Sequence, residues 1–143
     1  MIGLTREADD ALRIVWLLGQ TEGILDTATL CEQTVITPRF ALKILRKLAQ
    51  GGIVASRRGK KGGYRLARKP SEITVRQIVE LIDGPIAINR CTDPDYCCSR
   101  MGFDKVRCAY HRMFAAASLR LANDLDQVTL ECILQQSDTT EPS

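Results

Sequence analysis

The chain has 143 residues, 45% hydrophobic and 26% charged, which suits one folded soluble domain with room for an appended helix. Its net charge of +3 conceals a segregation: eleven Lys or Arg and no Asp or Glu lie between Arg39 and Lys69, while the remainder carries nine basic and seventeen acidic side chains. A run so one-sided points to a polyanion-binding surface, with nucleic acid the leading partner, and argues against a merely solvated face. Arg6, Glu7, Asp9 and Asp10 interrupt any secretory leader, and no apolar run approaches the ~20 residues needed to cross a bilayer. A cytoplasmic protein without a membrane partner is expected, where thiols stay reduced and clustered cysteines more often bind metal than pair as disulfides.

A first helix is predicted from about Thr5 to Gly19. Thr5 suits the N-cap, Glu7, Asp9 and Asp10 favour the positive end of the dipole, and Ala8, Ala11, Leu12, Val15 and Leu18 recur at helical spacing. A short second helix follows Asp26 to about Gln33, with Cys31 read as a core residue. Val35-Ile36 then turns into Thr37-Pro38, a helix-start signal, and Ala41, Ile44, Leu45 and Leu48 form the buried stripe of a third helix ending near Gln50. Its other face offers Arg39, Phe40, Lys43, Arg46 and Lys47. Short helix, tight turn and basic-faced helix make a helix-turn-helix, whose second helix enters a major groove.

Gly51-Gly52 stops that helix. Two β-prone runs from Ile53 to Leu66 flank a turn rich in glycine and lysine, which reads as a basic hairpin, or wing, carrying Arg57, Arg58, Lys60, Lys61 and Tyr64. No Walker-type Gly-Lys-Ser/Thr occurs, so a nucleotide-cradling loop is disfavoured. Thr74 and Gln77 form a capping box for a fourth helix that ends at Asp83-Gly84-Pro85.

Asn89 to Arg112 then holds four of the six cysteines (Cys91, Cys97, Cys98, Cys108) and the only histidine, His111. Pro94 and Gly102 place the first three on a loop, whereas Cys108 and His111, three apart, share one face where helical patterning resumes. Thiolates with an imidazole suit an iron–sulfur cluster or zinc. Adjacent Cys97-Cys98 is not a Cys-x-x-Cys redox motif, and His111 has no serine or acid partner, so no enzyme is expected. A zinc-stapled interaction module and a cluster-free regulator sensing oxidation through Cys97, Cys98 or Cys108 remain the alternatives.

Beyond the loop, Val106, Tyr110, Met113, Phe114, Ala117 and Leu121 mark a helix of about sixteen residues whose stripe is buried most simply by a two-fold partner, or else by packing back onto its own domain. Thr129 is expected to cap a last short turn, with Cys132 in the core and Ser137 to Ser143 a frayed tail.

Several stretches resemble a known family: Leu4-Thr5 through Ala11-Leu12-Arg13, Leu45-Arg46-Lys47-Leu48, Arg58-Gly59-Lys60-Lys61-Gly62-Gly63-Tyr64, Ile73-Thr74-Val75 leading to Asp83-Gly84-Pro85, the cysteine loop, and Leu125 to Leu134. In order and spacing they resemble the bacterial winged-helix regulators that include the iron–sulfur cluster regulator IscR and the nitric-oxide-sensing repressor NsrR. The resemblance implies a mainly α fold with a small β-hairpin: a winged helix-turn-helix domain over 1–86, a cluster-binding loop over 87–107, a dimerisation helix and C-terminal turn over 108–136, and a disordered tail over 137–143. It implies a homodimer that binds double-stranded operator DNA, most simply as a repressor, through Thr37, Arg39, Phe40, Lys43, Arg46, Lys47 and the wing residues named above. A 2Fe–2S or 4Fe–4S cluster on Cys91, Cys97, Cys108 and His111 would tune that binding. Cys97 and Cys108 lie further apart than the corresponding family cysteines, which leaves Cys98 an alternative to Cys97, and the partner subunit's Asp9 an alternative to His111.

Overall fold

The computed structural model describes residues 3–99 and 107–138, which form six α-helices and one two-stranded hairpin. Helix α1 (Arg6–Gln20) starts at Thr5, whose hydroxyl accepts the Ala8 N–H at 3.1 Å. The Thr5 N–H donates to Asp83 Oδ2 at 3.1 Å and its hydroxyl to Asp83 Oδ1, so one residue both caps α1 and ties it to the end of the fourth helix. Helix α2 (Thr27–Thr34) is capped by Asp26, which accepts the Thr29 N–H at 2.9 Å and hydroxyl at 2.7 Å. The Thr29 bonds hold the Asp26 carboxyl below its usual range. Helix α3 (Pro38–Gln50) opens, as expected, with Thr37 at the N-cap and Pro38 in the first turn.

The core sits among these three helices. Ile14, Val15 and Leu18 of α1, Leu30 and Cys31 of α2, and Ala41, Ile44, Leu45 and Leu48 of α3 are buried together with Ile53, Val54, Ile73 and Ile78. Cys31 is the core cysteine that its apolar spacing predicts, and burial pushes its thiol pKa up.

Strands β1 (Val54–Arg57) and β2 (Gly63–Leu66) pair antiparallel, with Val54 opposite Leu66 and Arg57 opposite Gly63. Leu25 adds a backbone bridge to Tyr64, exchanging bonds of 2.9 and 2.8 Å, so the loop before α2 becomes a third edge to the wing. That approach demands glycine at position 63: a Cβ there would lie 2.2 Å from the Leu25 carbonyl oxygen.

Helix α4 (Val75–Asp83) has the expected capping box, with the Gln77 N–H on the Thr74 hydroxyl at 3.2 Å and the Thr74 N–H on Gln77 Oε1 at 3.3 Å. Helix α5 (Ala109–Gln127) is longer than its apolar stripe predicts, and it packs on α4 and on the 3-10 turn Arg90–Thr92. Val106, counted in that stripe, lies outside the described residues. The expected short last turn is instead the nine-residue helix α6 (Leu130–Asp138), docked on α1 with Leu130 in the core. Backbone bonds from Val75 N to Val128 O (2.9 Å) and from Leu130 N to Ile73 O (2.8 Å) stitch the α5–α6 junction to the start of α4. Ser137, expected in a frayed tail, is helical and accepts the Trp16 indole N–H at 3.1 Å. Gln135, Gln136, Ser137 and Asp138 make the end of this segment polar, so composition hid part of a helix whose stability comes from docking. The remainder of the expected tail, 139–143, is not among the described residues.

Candidate nucleic-acid interface and metal-ligand stretch

The α2–α3 turn presents the N-terminal half of α3 outward. Burial of Ala41, Ile44, Leu45 and Leu48 leaves Arg39, Leu42, Lys43 and Arg46 on the opposite, exposed face. The Thr37 hydroxyl makes no capping bond. Phe40 is half-buried against the core, with Lys43 Nζ 5.8 Å from its ring centroid. Of the α3 residues predicted to meet DNA, Thr37, Arg39, Lys43 and Arg46 are therefore exposed, whereas Phe40 and Lys47 are half-buried along its flank. Leu42, 43% exposed in the middle of the face, escapes a search for charge alone; apolar side chains there can meet a thymine methyl group.

Two of these cations are already engaged. Glu7 of α1 stands between them, with Lys47 Nζ 2.6 Å from Oε1 and Lys43 Nζ 3.0 Å from Oε2. The Lys47 contact, reinforced by Lys43, holds the Glu7 carboxyl below its usual range against the opposing effect of burial. Arg68 is diverted too: it donates to the Gly52 and Glu72 carbonyls and to Gln77 Oε1, joining the hairpin to α4. Among the described residues, Arg39, Arg46, Arg57, Arg58, Lys60 and Lys61 have no carboxylate partner.

In the wing, Arg57, Arg58, Lys60 and Lys61 are all exposed around the tip, where Gly59 adopts φ +107° and its carbonyl accepts the Gly62 N–H at 3.0 Å. Tyr64 differs: half-buried on β2, its side chain packs against the core. An open groove lined by Asp26, Thr27, Arg58, Lys60 and Gly62 runs between the wing and the start of α2.

Just before the cysteine stretch stands Ile88, whose N–H donates to Ser118 Oγ of α5 at 3.0 Å. Local turns follow, in which Asn89 O accepts the Thr92 N–H and hydroxyl (2.9 and 2.6 Å) and Asp93 Oδ1 accepts the Asp95 N–H at 3.0 Å. Cys91, Cys98 and Cys108 are half-buried, Cys97 is exposed, and all are free thiols. Cys108 stands at the N-cap of α5 with His111 one turn on, where the buried imidazole Nδ1 has no hydrogen-bond partner among the described residues. Among the described residues, no three Cys, His, Asp or Glu side chains converge in metal-ligating geometry. The proposed ligands are therefore near in sequence but not drawn into one group. Asp9, the alternative fourth ligand, is exposed and paired with Arg13 at 3.1 Å. Cys132, expected in the core, is only half-buried; its N–H donates to Thr129 Oγ1 at 3.2 Å, and the Thr129 hydroxyl, 3.1 Å from Sγ, holds the thiol pKa down.

The family model of Rrf2, the iron-dependent transcriptional regulators, matches residues 4–136. The chain belongs to the Rrf2 family. Curated Rrf2 relatives include the HTH-type transcriptional regulator IscR of Serratia proteamaculans, 30% identical over 85% of this chain and 71% of that protein. IscR of Aliivibrio salmonicida is 29% identical over 85% of this chain and 70% of its own. Among solved structures, T. potens IscR superposes with a TM-score of 0.78 at 20% identity, over 99% of this chain and 93% of that one. CymR, the global cysteine regulator of B. subtilis, gives 0.75 at 20% identity, over 95% and 98%. As an Rrf2 protein this is a DNA-binding transcriptional regulator with the winged-helix fold. Within that Rrf2 frame, sequence reading missed Glu7, Leu42 and Ser118. Only Leu42 carries a local signal, as an apolar residue on the wrong face of α3.

Proposed function

We propose that this regulator is a homodimeric repressor whose grip on operator DNA depends on an iron–sulfur cluster. The DNA contacts assigned are Thr37, Arg39, Leu42, Lys43 and Arg46 of α3, with Lys47 at its flank, and Arg57, Arg58, Lys60 and Lys61 of the wing. Those exposed arginines and lysines of α3 and the wing that have no carboxylate partner among the described residues support this assignment, because such cations neutralise phosphates while α3 reads base edges. Tyr64 acts indirectly, by packing the wing onto the core.

The donors of the cysteine stretch fit a cluster in their chemistry. Cys91, Cys97 or Cys98, and Cys108 are reduced and accessible, and the buried Nδ1 of His111 lacks, among the described residues, the partner that a buried nitrogen requires. Bound there, the cluster supplies a redox-active iron centre whose assembly depends on iron and oxidant levels. The chain's own part is mechanical. The stretch is tied to Ser118 just before its start and runs into α5, so ligation there bears on α5 and on whatever α5 contacts. Tyr110, Met113 and Leu121, exposed along one stripe of α5, form the surface for the second copy.

Protein purified without air should be coloured, contain iron and sulfide, and bind a duplex selected from a random library with an affinity that changes when the cluster is removed. Equal affinity of loaded and cluster-free protein at fixed salt would remove the switch. A second reading keeps the DNA function and senses oxidation through Cys97, Cys98 and Cys108 alone. It is favoured by the exposure of Cys97 beside Cys98 and by the unassembled ligand set. Colourless, iron-free protein whose DNA affinity falls with peroxide and returns with thiol would select it.

A further inference from the structure

We propose that Glu7 is a specificity-determining residue of the DNA interface, acting as a built-in substitute for a phosphate that occupies Lys43 and Lys47 of α3 from the protein side. The inference rests on the assignment of α3 as the reading helix.

Glu7 comes from α1, 36 and 40 residues before its partners, and its carboxylate bridges the two lysines. Its side chain is 18% exposed, that of Lys47 34% and that of Lys43 56%, so the contacts are partly screened from water and salt. Glu7 also occupies the first turn of α1, where the helix dipole favours a negative charge. A phosphate that recruits Lys47 competes for it with a carboxylate 2.6 Å away. Lys43 is held twice, by Glu7 and by the Phe40 ring.

Nonspecific binding draws its affinity almost wholly from phosphate neutralisation. Quenching two lysines on the reading helix lowers that contribution and leaves Arg39 and Arg46 as its uncompensated cations. Both are planar forks that suit a guanine edge, whereas lysine is a point charge that suits any phosphate. The arrangement thus lowers affinity for arbitrary sequence more than for the operator.

The test compares the full-length wild-type protein with Glu7→Gln on two duplexes of equal length, one of random sequence and one selected by the wild-type protein, from 50 to 200 mM salt. Freeing two lysines should steepen the salt slope on random DNA by up to about 1.8, and raise affinity at the low-salt end by roughly tenfold relative to the high-salt end. The selected duplex should gain less, so the ratio of the two affinities falls. Glu131→Gln, which removes an exposed charge on α6, should leave the slopes unchanged; an equal effect from it would reduce the result to net charge and overturn the proposal. So would a Glu7→Gln protein whose slopes and ratio match the wild type. If Glu7→Gln does not fold, the lysine 15Nζ resonances of the wild-type protein decide. Lys43 and Lys47 should keep their free-protein signals when random duplex is added, and large shifts of both would overturn the proposal. A wild-type protein that binds neither duplex in a salt-dependent way would instead remove the DNA-interface assignment beneath it.

Discussion

Ser118 Oγ, buried in the middle of α5, accepts the Ile88 N–H at 3.0 Å and donates to the Phe114 carbonyl at 2.8 Å. One hydroxyl thereby anchors the first residue before the cysteine stretch to the long helix. Ser118→Ala leaves a part-buried N–H without its acceptor, which costs about 1–3 kcal/mol. A lower unfolding midpoint should appear, together with faster hydrogen exchange at Ile88. Unchanged exchange at that amide would show that the bond does not hold the stretch.

Val35 in the helix-turn-helix turn has φ +57° and is 87% exposed. A β-branched side chain in the left-handed region costs roughly 1–2 kcal/mol, and little packing offsets it. Val35→Gly should therefore stabilise the fold by about 0.5–1 kcal/mol after the extra chain entropy of glycine is subtracted. The urea midpoint should rise, and a fall would mean that the side chain makes a contact worth more than its strain.

Gly63 admits no side chain. Gly63→Ala drives a Cβ onto the Leu25 carbonyl and should break the bridge that seats the wing, at a cost of about 2 kcal/mol or more. DNA affinity should fall with stability, whereas Lys60→Ala at the tip should lower affinity and leave the unfolding temperature unchanged.

The Glu7–Lys47 contact also sets an acid dependence. Because the folded Glu7 carboxyl titrates below its ordinary value, the pair stabilises the protein fully above the usual glutamate range. That contribution is lost as pH falls through the lower folded value. With both lysines partly exposed, it is on the order of 1 kcal/mol at most. The stability difference between wild type and Glu7→Gln should thus be present at neutral pH and vanish below the carboxylate range. A difference that persists in strong acid would point to packing rather than charge.

Arg39→Ala should relax base preference at one position and cost about 1–3 kcal/mol on the selected duplex. Arg58→Ala should weaken binding most where the minor groove is narrow. A binding-site selection repeated with each variant separates the two outcomes.

The elements were legible where their signals are local. Thr5, Asp26, Thr37-Pro38 and Thr74 with Gln77 each mark a helix start that the structure places within a residue, because caps act over one turn. The glycine-rich wing was legible for the same reason. Helix α6 was not, since its stability comes from Leu130 and Leu134 packing near Gly19, a contact made over more than a hundred residues. The basic run between Arg39 and Lys69 was visible as charge, but not how that charge is distributed. Arg68 is bonded to the Gly52 carbonyl as well as to nearby Glu72, and Lys47 to Glu7, and neither Gly52 nor Glu7 is near its partner in sequence. The cysteine stretch shows the reverse case: its donors are obvious from composition, and their convergence is a tertiary matter that spacing does not decide.

Trp16 is the single tryptophan of the chain, and its indole N–H is bonded to Ser137 on the last helix. Its emission is therefore a native optical gauge of whether the carboxyl-terminal helix is seated. Release of α6 would replace that bond with water and redden the spectrum before the three-helix core melts, so one unlabelled sample can time the two events separately.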